Sequence, residues 1–458
     1  MASPSIFRAY DIRGLYGKDF DAGDARLIAK AFASLIKPGS VVVGHDNRLS
    51  SPEIAASLIN GLAESGVDVI DIGMATSPML YFAIIHFGAG GGIEVTGSHL
   101  EKQYNGFKLC RKNAQALFDD DIQEIRKLVE SKDFPAPPRA GSVTGREIEA
   151  VYAREITSII RLPRKLKVAV DTGNGTAGPL FEKILSSIGA DADFIFKEPD
   201  GNYPNHEPDP SIEGNMDFLK RKVKEGKYDM GIATDGDADR AFFLDEKGDL
   251  VKSDHVIALL AGKALGAGSG KRIFTEVRGS MLIGDCVSSL GGELVMGRIG
   301  HSIIKDAMKK DTSIVLAGEA SGHIFFRQFH CLDDGIFASC KMMEMLSSAG
   351  SSLSDMVNSL PHYFSTPEYR PVVDEEKKFV IVASVKKEFE KMAKDSSSGI
   401  ERIIGIDGVR VEFKDGWGLV RASNTSPMLS MRFEARTEKR MKDIEKMFMD
   451  ILGSHIRG

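Results

Sequence analysis

The residue types in this chain that could carry chemistry gather in a few short polar runs, each placed close behind an apolar stretch. Glu94-Val95-Thr96-Gly97-Ser98-His99-Leu100 sets a serine on a polar turn beside a histidine, and Tyr104-Asn105-Gly106-Phe107-Lys108 brings a lysine ten residues later. A hydroxyl in that setting is a candidate nucleophile, although Gly-Ser is also ordinary turn vocabulary. Thr96 and Leu100 occupy both glycine positions of a G-x-S-x-G elbow, which removes the main support for a hydrolase of that kind. In Thr234-Asp235-Gly236-Asp237-Ala238-Asp239-Arg240, three carboxylates at alternate positions would repel one another unless a cation neutralised them. A calcium EF-hand is set aside. Arg240 stands where its sixth position needs glycine, and the flanks Met230-Gly231-Ile232 and Ala241-Phe242-Phe243-Leu244 read as strands.

Four further runs offer donors and acceptors. Gly318-Glu319-Ala320-Ser321-Gly322-His323 follows a strand expected over 313–316, and Gly297-Arg298-Ile299-Gly300-His301-Ser302 lies upstream of it. Arg421-Ala422-Ser423-Asn424-Thr425-Ser426-Pro427, with Arg432 five residues on, packs guanidinium, hydroxyl and amide groups together, a set suited to charge-assisted bonds with a dianion. The opening Phe7-Arg8-Ala9-Tyr10-Asp11-Ile12-Arg13-Gly14 is similarly rich in anion-binding side chains. Taken singly, each of the four also reads as a polar turn.

These runs need elements to position them. The spacing predicts an amphipathic helix over 24–35, a buried strand over 40–44 ending at His45-Asp46-Asn47-Arg48, and a helix from Ser51-Pro52-Glu53 with proline in its tolerated first turn. A further strand is expected over 67–72. The same order recurs where 167–171 enters Thr172-Gly173-Asn174-Gly175 and a helix over 180–188, and where 272–276 enters Arg278-Gly279-Ser280 and a helix beyond. Three similar α/β units follow. In such units functional loops sit at the carboxyl ends of strands, so the three could share one cleft. The glycine clusters Gly88-Ala89-Gly90-Gly91-Gly92 and Gly266-Ala267-Gly268-Ser269-Gly270 precede strands and fail the context test for nucleotide loops; they read as helix-to-strand turns. After a break around 363–369 come the apolar run Phe379-Val380-Ile381-Val382, an amphipathic helix over 384–394, two strands and a terminal helix over 438–452, which together suggest a smaller α+β unit. Breaks near 135–150 and at Lys247-Gly248 complete a four-domain division into 1–145, 146–249, 250–364 and 365–458.

Composition bounds the function. A chain of 458 residues exceeds one core and suits three or four domains. With 42% hydrophobic and 27% charged residues it reads as a soluble globular protein, and no apolar run approaches the roughly 18 residues of a membrane span. The N-terminal Met-Ala-Ser-Pro-Ser shows no signal-peptide core, so a cytoplasmic location is expected. The formal net charge of -6 disfavours nucleic acid as a partner. Cys110, Cys286, Cys331 and Cys340 lack metal or disulfide spacing and are expected to be packing residues.

The motifs, in this order from Phe7 to the last helix, resemble the alpha-D-phosphohexomutases, in particular the phosphomannomutase/phosphoglucomutase branch. The chain departs from many of its relatives at Leu100-Glu101, where Asn-Pro is common, and at Arg278, where lysine is usual. The resemblance implies a mutase that moves a phosphoryl group between the 1- and 6-positions of glucose or mannose through a phosphorylated Ser98 and a 1,6-bisphosphate, which also serves as activator. It assigns Mg²⁺ to Asp235, Asp237, Asp239 and an oxygen of the Ser98 phosphate, with His99, Lys108 and Arg240 around the transferred group and His99 or Lys108 as the base. Glu319 and Ser321 would read the sugar's 3- and 4-hydroxyls, with His323 supporting their loop. Tyr10, Arg13 and His301 would face the cleft, Arg278 would contact phosphate, and Arg421, Ser423, Asn424 and Thr425 would hold the distal phosphate. Phosphoglucosamine mutase and a non-catalytic sugar-bisphosphate sensor remain as alternative readings, and the chain is expected to be a monomer or homodimer with hexose phosphates as partners.

Overall fold

The computed structural model describes residues 2–266, 270–423 and 427–456. The first three units are built on one strand plan. In the first, Ser40–His45 lies between Asp68–Met74 and Gly91–Val95, parallel to both, and Tyr104–Arg111 returns antiparallel on Gly91–Val95. Lys167–Asp171 takes the same central place between Asp191–Ile195 and Met230–Thr234, with Ala241–Leu244 returning antiparallel. Arg272–Glu276 does so between Glu293–Gly297 and Ile314–Gly318, with Ile324–Phe326 returning.

The consequence for function is specific. In every unit the chain leaves the carboxyl end of the strand that precedes the antiparallel return, and that exit carries Ser98, Asp235 or Glu319. These strands read as continuous apolar or small-residue runs because both faces are covered: Gly91–Val95, Met230–Thr234 and Ile314–Gly318 are buried at every position. The helices flanking them follow the expected amphipathic spacing. Ala22–Ile36 begins with a reciprocal capping box between Asp21 and Asp24, and Ser51–Glu64 has its proline in the first turn.

The fourth unit is an antiparallel sheet ordered Phe364–Ser365, Leu429–Ala435, Gly416–Ala422, Val409–Phe413, Ile400–Ile404. It has more strands than its sequence suggested, and the run Phe379-Val380-Ile381-Val382 belongs to the helix Lys378–Met392. There Ile381, Val382, Val385 and Phe389 form a buried stripe at helical spacing, whereas Phe379 and Val380 are exposed. Two short strands lie at the expected boundaries. Leu250–Val251 joins the second sheet on Ala241–Leu244, and Phe364–Ser365 joins the fourth on Leu429–Ala435. Of the glycine clusters, Gly91 and Gly92 lie inside a strand, and residues 267–269 fall outside the described residues. Cys110, Cys331 and Cys340 are buried, Cys286 is half-buried, and all four are free thiols. Among the described residues no helix is long and apolar enough to cross a membrane.

Candidate active site

Ser98 is buried and sits in the left-handed region at φ 49°, a conformation costing roughly 1–3 kcal/mol for a residue with a side chain. Arg48 holds it there. Its guanidinium is fully buried and donates to the carbonyl oxygens of Ser98 (2.8 Å), Leu100 (2.5 Å), Glu101 (2.6 Å) and Tyr104 (3.0 Å), and it pairs with Asp46 at 3.1 Å. Asp46 in turn accepts from the Gly97 amide at 3.1 Å. The loop's carbonyls are thereby drawn toward one buried cation, and Ser98 Oγ faces the other way, 3.2 Å from His99 Nδ1 and donating to Asp235 Oδ2 at 3.0 Å. Burial, with the charges of Arg240 and Arg13 acting in the same sense, holds the His99 imidazole well below its ordinary pKa. It is therefore neutral beside the serine hydroxyl.

The acidic loop reaches the serine loop because Gly236 lacks a side chain: a Cβ there would meet the Ser98 carbonyl oxygen at 2.7 Å. Asp235, Asp237 and Asp239 each place a carboxylate oxygen within 4.8 Å of the others, all fully buried. Burial and repulsion from Asp239 and Asp237 push the Asp235 carboxyl well above its usual range. Lys108 Nζ donates to Asp237 and Asp239 and, at 3.1 Å, to Ser77 Oγ. Burial opposes the lysine's charge, but the two carboxylates raise its pKa. Lys108 thereby pairs its ammonium with two of the carboxylates that the resemblance assigns to the metal. Even with Lys108 present, one oxygen of Asp237 and one of Asp239 are buried without a hydrogen-bond partner. A divalent cation fits this set of hard, orphaned oxygens.

Arg240 connects the second and third units. Its backbone bridges to His323, its Nε lies 3.0 Å from His323 Nε2, and its guanidinium stands 3.8 Å from Asp235 and 3.9 Å from Asp239. Beneath it, fully buried Asp333 gathers His301 Nδ1 (3.1 Å), His323 Nδ1 (3.4 Å) and Lys305 Nζ (2.8 Å), and the two imidazoles stack at 5.3 Å. Burial alone would raise Asp333, but Lys305 and the histidines hold it well below the usual carboxylate range.

His99, Arg240, His301 and His323 line a cleft of about 560 Å³, while Ser98, Lys108, Asp235, Asp237 and Asp239 are buried and are not among its lining residues. Of the expected site residues, Tyr10, Arg13, His99, Arg240, Arg278, His301, Glu319, Ser321 and His323 line it. Glu319 Oε2 and Ser321 Oγ are buried without a partner, so an acceptor and a hydroxyl stand ready for a ligand's own hydroxyls. Tyr10 packs on Gly300, whose φ of 130° and lack of a Cβ (2.9 Å from the ring if present) admit it. Arg13 pairs with Asp11 at 2.6 Å. Arg278 is shared by Glu276 (2.9 Å), Glu319 (3.5 Å) and Glu368 (3.8 Å), and these carboxylates outweigh its burial and raise its pKa, so it keeps its charge.

The fourth unit stands apart from this wall. Arg421 pairs with Asp407 at 3.1 Å, and the same carboxylate accepts from the Ile299 amide of the third unit at 3.0 Å. Ser423 donates its amide to the Met428 carbonyl, and its own carbonyl accepts from Lys378 Nζ at 2.7 Å. Neither residue lines the cleft, and Asn424 and Thr425 lie outside the described residues. Arg432, five residues beyond this loop in sequence, points elsewhere and donates to the Arg278 carbonyl (2.9 Å) and to Asp254 (2.8 Å).

Reading the sequence missed Arg48, Asp46, Asp333 and Lys305. Arg48 and Asp46 carried a usable signal, a charged pair at the carboxyl end of a buried strand. Asp333 carried none, because the adjacent Asp334 serves as an ordinary N-cap to Phe337.

Four family profiles match the chain in succession: phosphoglucomutase/phosphomannomutase alpha/beta/alpha domain I over residues 4–136, domain II over 149–248, domain III over 252–364 and the C-terminal domain over 369–451. A phosphoglucomutase of Neisseria gonorrhoeae is 38% identical over 454 residues, covering 98% of this chain and 97% of its own. A phosphomannomutase/phosphoglucomutase of Pseudomonas aeruginosa is 38% identical over 452 residues, covering 98% and 95%. The crystal structure of a phosphoglucomutase/phosphomannomutase family protein from Burkholderia thailandensis superposes with a TM-score of 0.90 at 35% identity, covering 99% of this chain and 98% of that one.

Proposed function

Because this chain belongs to the phosphoglucomutase/phosphomannomutase family, we propose that it interconverts the 1- and 6-phosphates of glucose and mannose, using Ser98 as the phosphoryl carrier. In the first step the free sugar hydroxyl attacks the phosphorus on Ser98. The new sugar O–P bond forms, the Ser98 Oγ–P bond breaks, and the hydroxyl proton passes to a base. His99 suits that role, being neutral and adjacent to Ser98 Oγ. The resulting 1,6-bisphosphate turns over and returns its other phosphoryl group to Ser98 by the reverse chemistry, so no phosphate is consumed. Asp235, Asp237 and Asp239 would hold Mg²⁺, which supplies neutralisation of phosphoryl charge when bound. Arg240 adds a positioned cation beside them, and positioning and charge stabilisation do most of the work in such transfers. Glucose or mannose 1,6-bisphosphate would serve as activator by charging an unphosphorylated Ser98. Arg421, Ser423, Asn424 and Thr425 would take the distal phosphate once the fourth unit moves onto the cleft.

The observation that carries this reading is the pair of unpartnered groups, Glu319 Oε2 and Ser321 Oγ, on the wall of the cleft that also receives His99 and Arg240. They suit two neighbouring hydroxyls common to glucose and mannose, and the names of the full-length relatives favour those sugars over glucosamine. Coupled assays with glucose, mannose and glucosamine phosphates test it. Turnover of the first two should differ by no more than about 10–200-fold, because the one position at which they differ stays unread. A preference of about a thousandfold for either would overturn dual use. Intact-mass measurement should show one phosphoryl group on Ser98, and full turnover by Ser98→Ala would sink the carrier role.

A further inference from the structure

A second cavity, of about 520 Å³, opens where the first and third units meet, at the C-terminal end of the helix His301–Lys310, whose first residue lines the cleft. Its cationic side chains are Lys112 from the first unit and Lys309 and Arg327 from the third, His330 lines it as an imidazole that burial holds below its ordinary pKa, and among the described residues no carboxylate lines it. Their charges meet neutral acceptors instead. Lys309 Nζ donates to the Asn113 carbonyl, and Arg327 donates to the carbonyls of Met308, Asp311 and Ile314. The nearby acid Asp306 is committed to Lys310 at 2.7 Å and to Gln115 at 3.4 Å, and Glu155 stands 3.9 Å from His330. Among the described residues this contrasts with the rest of the helix, where Lys305 has Asp333 and Lys310 has Asp306. Burial, with the Lys305 charge acting in the same sense, lowers the Lys309 ammonium to about 8, which is the cost of a cation without a counter-charge.

The walls are also built at conformational expense. Asn113 and Ala114 on one side, and His330 and Cys331 on the other, all adopt left-handed backbone at φ between 53° and 60°. Four non-glycine residues held so, in two turns that meet at one cavity, mark it as a shaped feature of the fold.

We propose that this cavity binds a phosphate-bearing small molecule, separately from the catalytic cleft, with the anion bridging Lys112 of the first unit and Lys309 of the third. Two ammonium groups, one from each unit, and the Asn113 amide give N–H donors from several directions, which suits a tetrahedral oxyanion better than a monatomic one. Lys309 and His301 lie at opposite ends of one helix. An occupant would therefore bear on the cleft without entering it.

The test reads Lys309 directly. The full-length, Mg²⁺-supplemented protein is trace-labelled with acetic anhydride, and acetylation of Lys309 is followed by peptide mass spectrometry as inorganic phosphate or chloride is added at matched ionic strength. Phosphate should protect Lys309 about tenfold more than chloride does, the scale of a charge-assisted contact. Lys112→Gln should remove most of that protection while leaving kcat/KM in phosphate-free buffer unchanged. Equal protection by the two anions, or protection that survives Lys112→Gln, would overturn the proposal.

Discussion

Two buried charge networks in this molecule make an instructive pair. At the seam between the third and fourth units, Arg410 donates to the carbonyls of Val277 (2.8 Å) and Gly279 (2.7 Å), pairs with Glu412 at 3.0 Å and lies 3.8 Å above the Trp417 ring. Arg432 meets Asp254, and Glu434 accepts from the Trp417 indole (3.0 Å) and the Met281 amide (2.8 Å). At the cleft, by contrast, Asp237, Asp239, Glu319 and Ser321 each keep a buried polar atom without a partner, and Asp235 is driven toward its protonated form. Both networks are rich in buried charge. What separates a fastening from a site is saturation: the seam satisfies itself, whereas the cleft is completed only by something that is not protein.

The largest effect expected from this contrast is at Asp235. In metal-free protein Asp235→Asn mimics the protonated acid toward which burial and its neighbours push the carboxyl, so the unfolding free energy measured with chelator should stay within about 0.5 kcal/mol of wild type, while turnover with Mg²⁺ falls by at least about 10²–10³-fold. A large stability loss would mean that the acidic loop is a fastening after all. Arg410→Ala should do the reverse. Glu412 keeps Arg402, but leaving the buried carbonyls of Val277 and Gly279 without their donor and the Trp417 face bare should cost about 1–3 kcal/mol in equilibrium unfolding, with kcat changed far less. Equal losses of activity and stability would erase the distinction.

Arg48 tests the boundary between the two classes, since it is saturated like the seam yet lies behind Ser98. Arg48→Lys keeps the charge but cannot supply donors to four carbonyls at once. It should lower kcat about tenfold or more with a smaller effect on KM, because a misplaced nucleophile affects the chemical step. A purely structural Arg48 would lower Tm and leave the specific activity of the folded fraction intact.

The smallest effect concerns Asp334, next to the cleft network but part of the core, where Tyr152 donates to it at 2.6 Å. Burial pushes its carboxyl up to about 7, against the opposing pull of the Phe337 amide and Tyr152. The native chain then keeps this proton to higher pH than the unfolded chain. Its contribution to stability is complete below about pH 4 and is lost as pH rises through about 7. Asp334→Asn cannot titrate, so its stability profile between those limits should be flatter than that of wild type in urea titrations run across pH. Parallel profiles would show that Asp334 is ionised in the native state.

Some of this was legible in the chain itself. The acidic loop, the serine loop and the loop of Glu319 and Ser321 were readable because the residues of each stand together within a few positions, at the end of a strand whose apolar pattern survives in one dimension. The mutual repulsion of Asp235, Asp237 and Asp239 is a property of spacing alone. Contacts set by the order of strands were beyond reach. Arg48 meets the Ser98 carbonyl across a separation of 50 residues because their strands are neighbours in one sheet, and Lys108 meets Asp237 across 129 because two separate sheets bring their edges together. Packing between units likewise turns Arg432 to the seam, where it reaches the Arg278 carbonyl and Asp254. Local spacing specifies which groups share a loop. Which loops share a cleft, and which buried charges are left unsatisfied there, depends on how the four units pack, and that is decided by hydrophobic surfaces distributed over the whole chain.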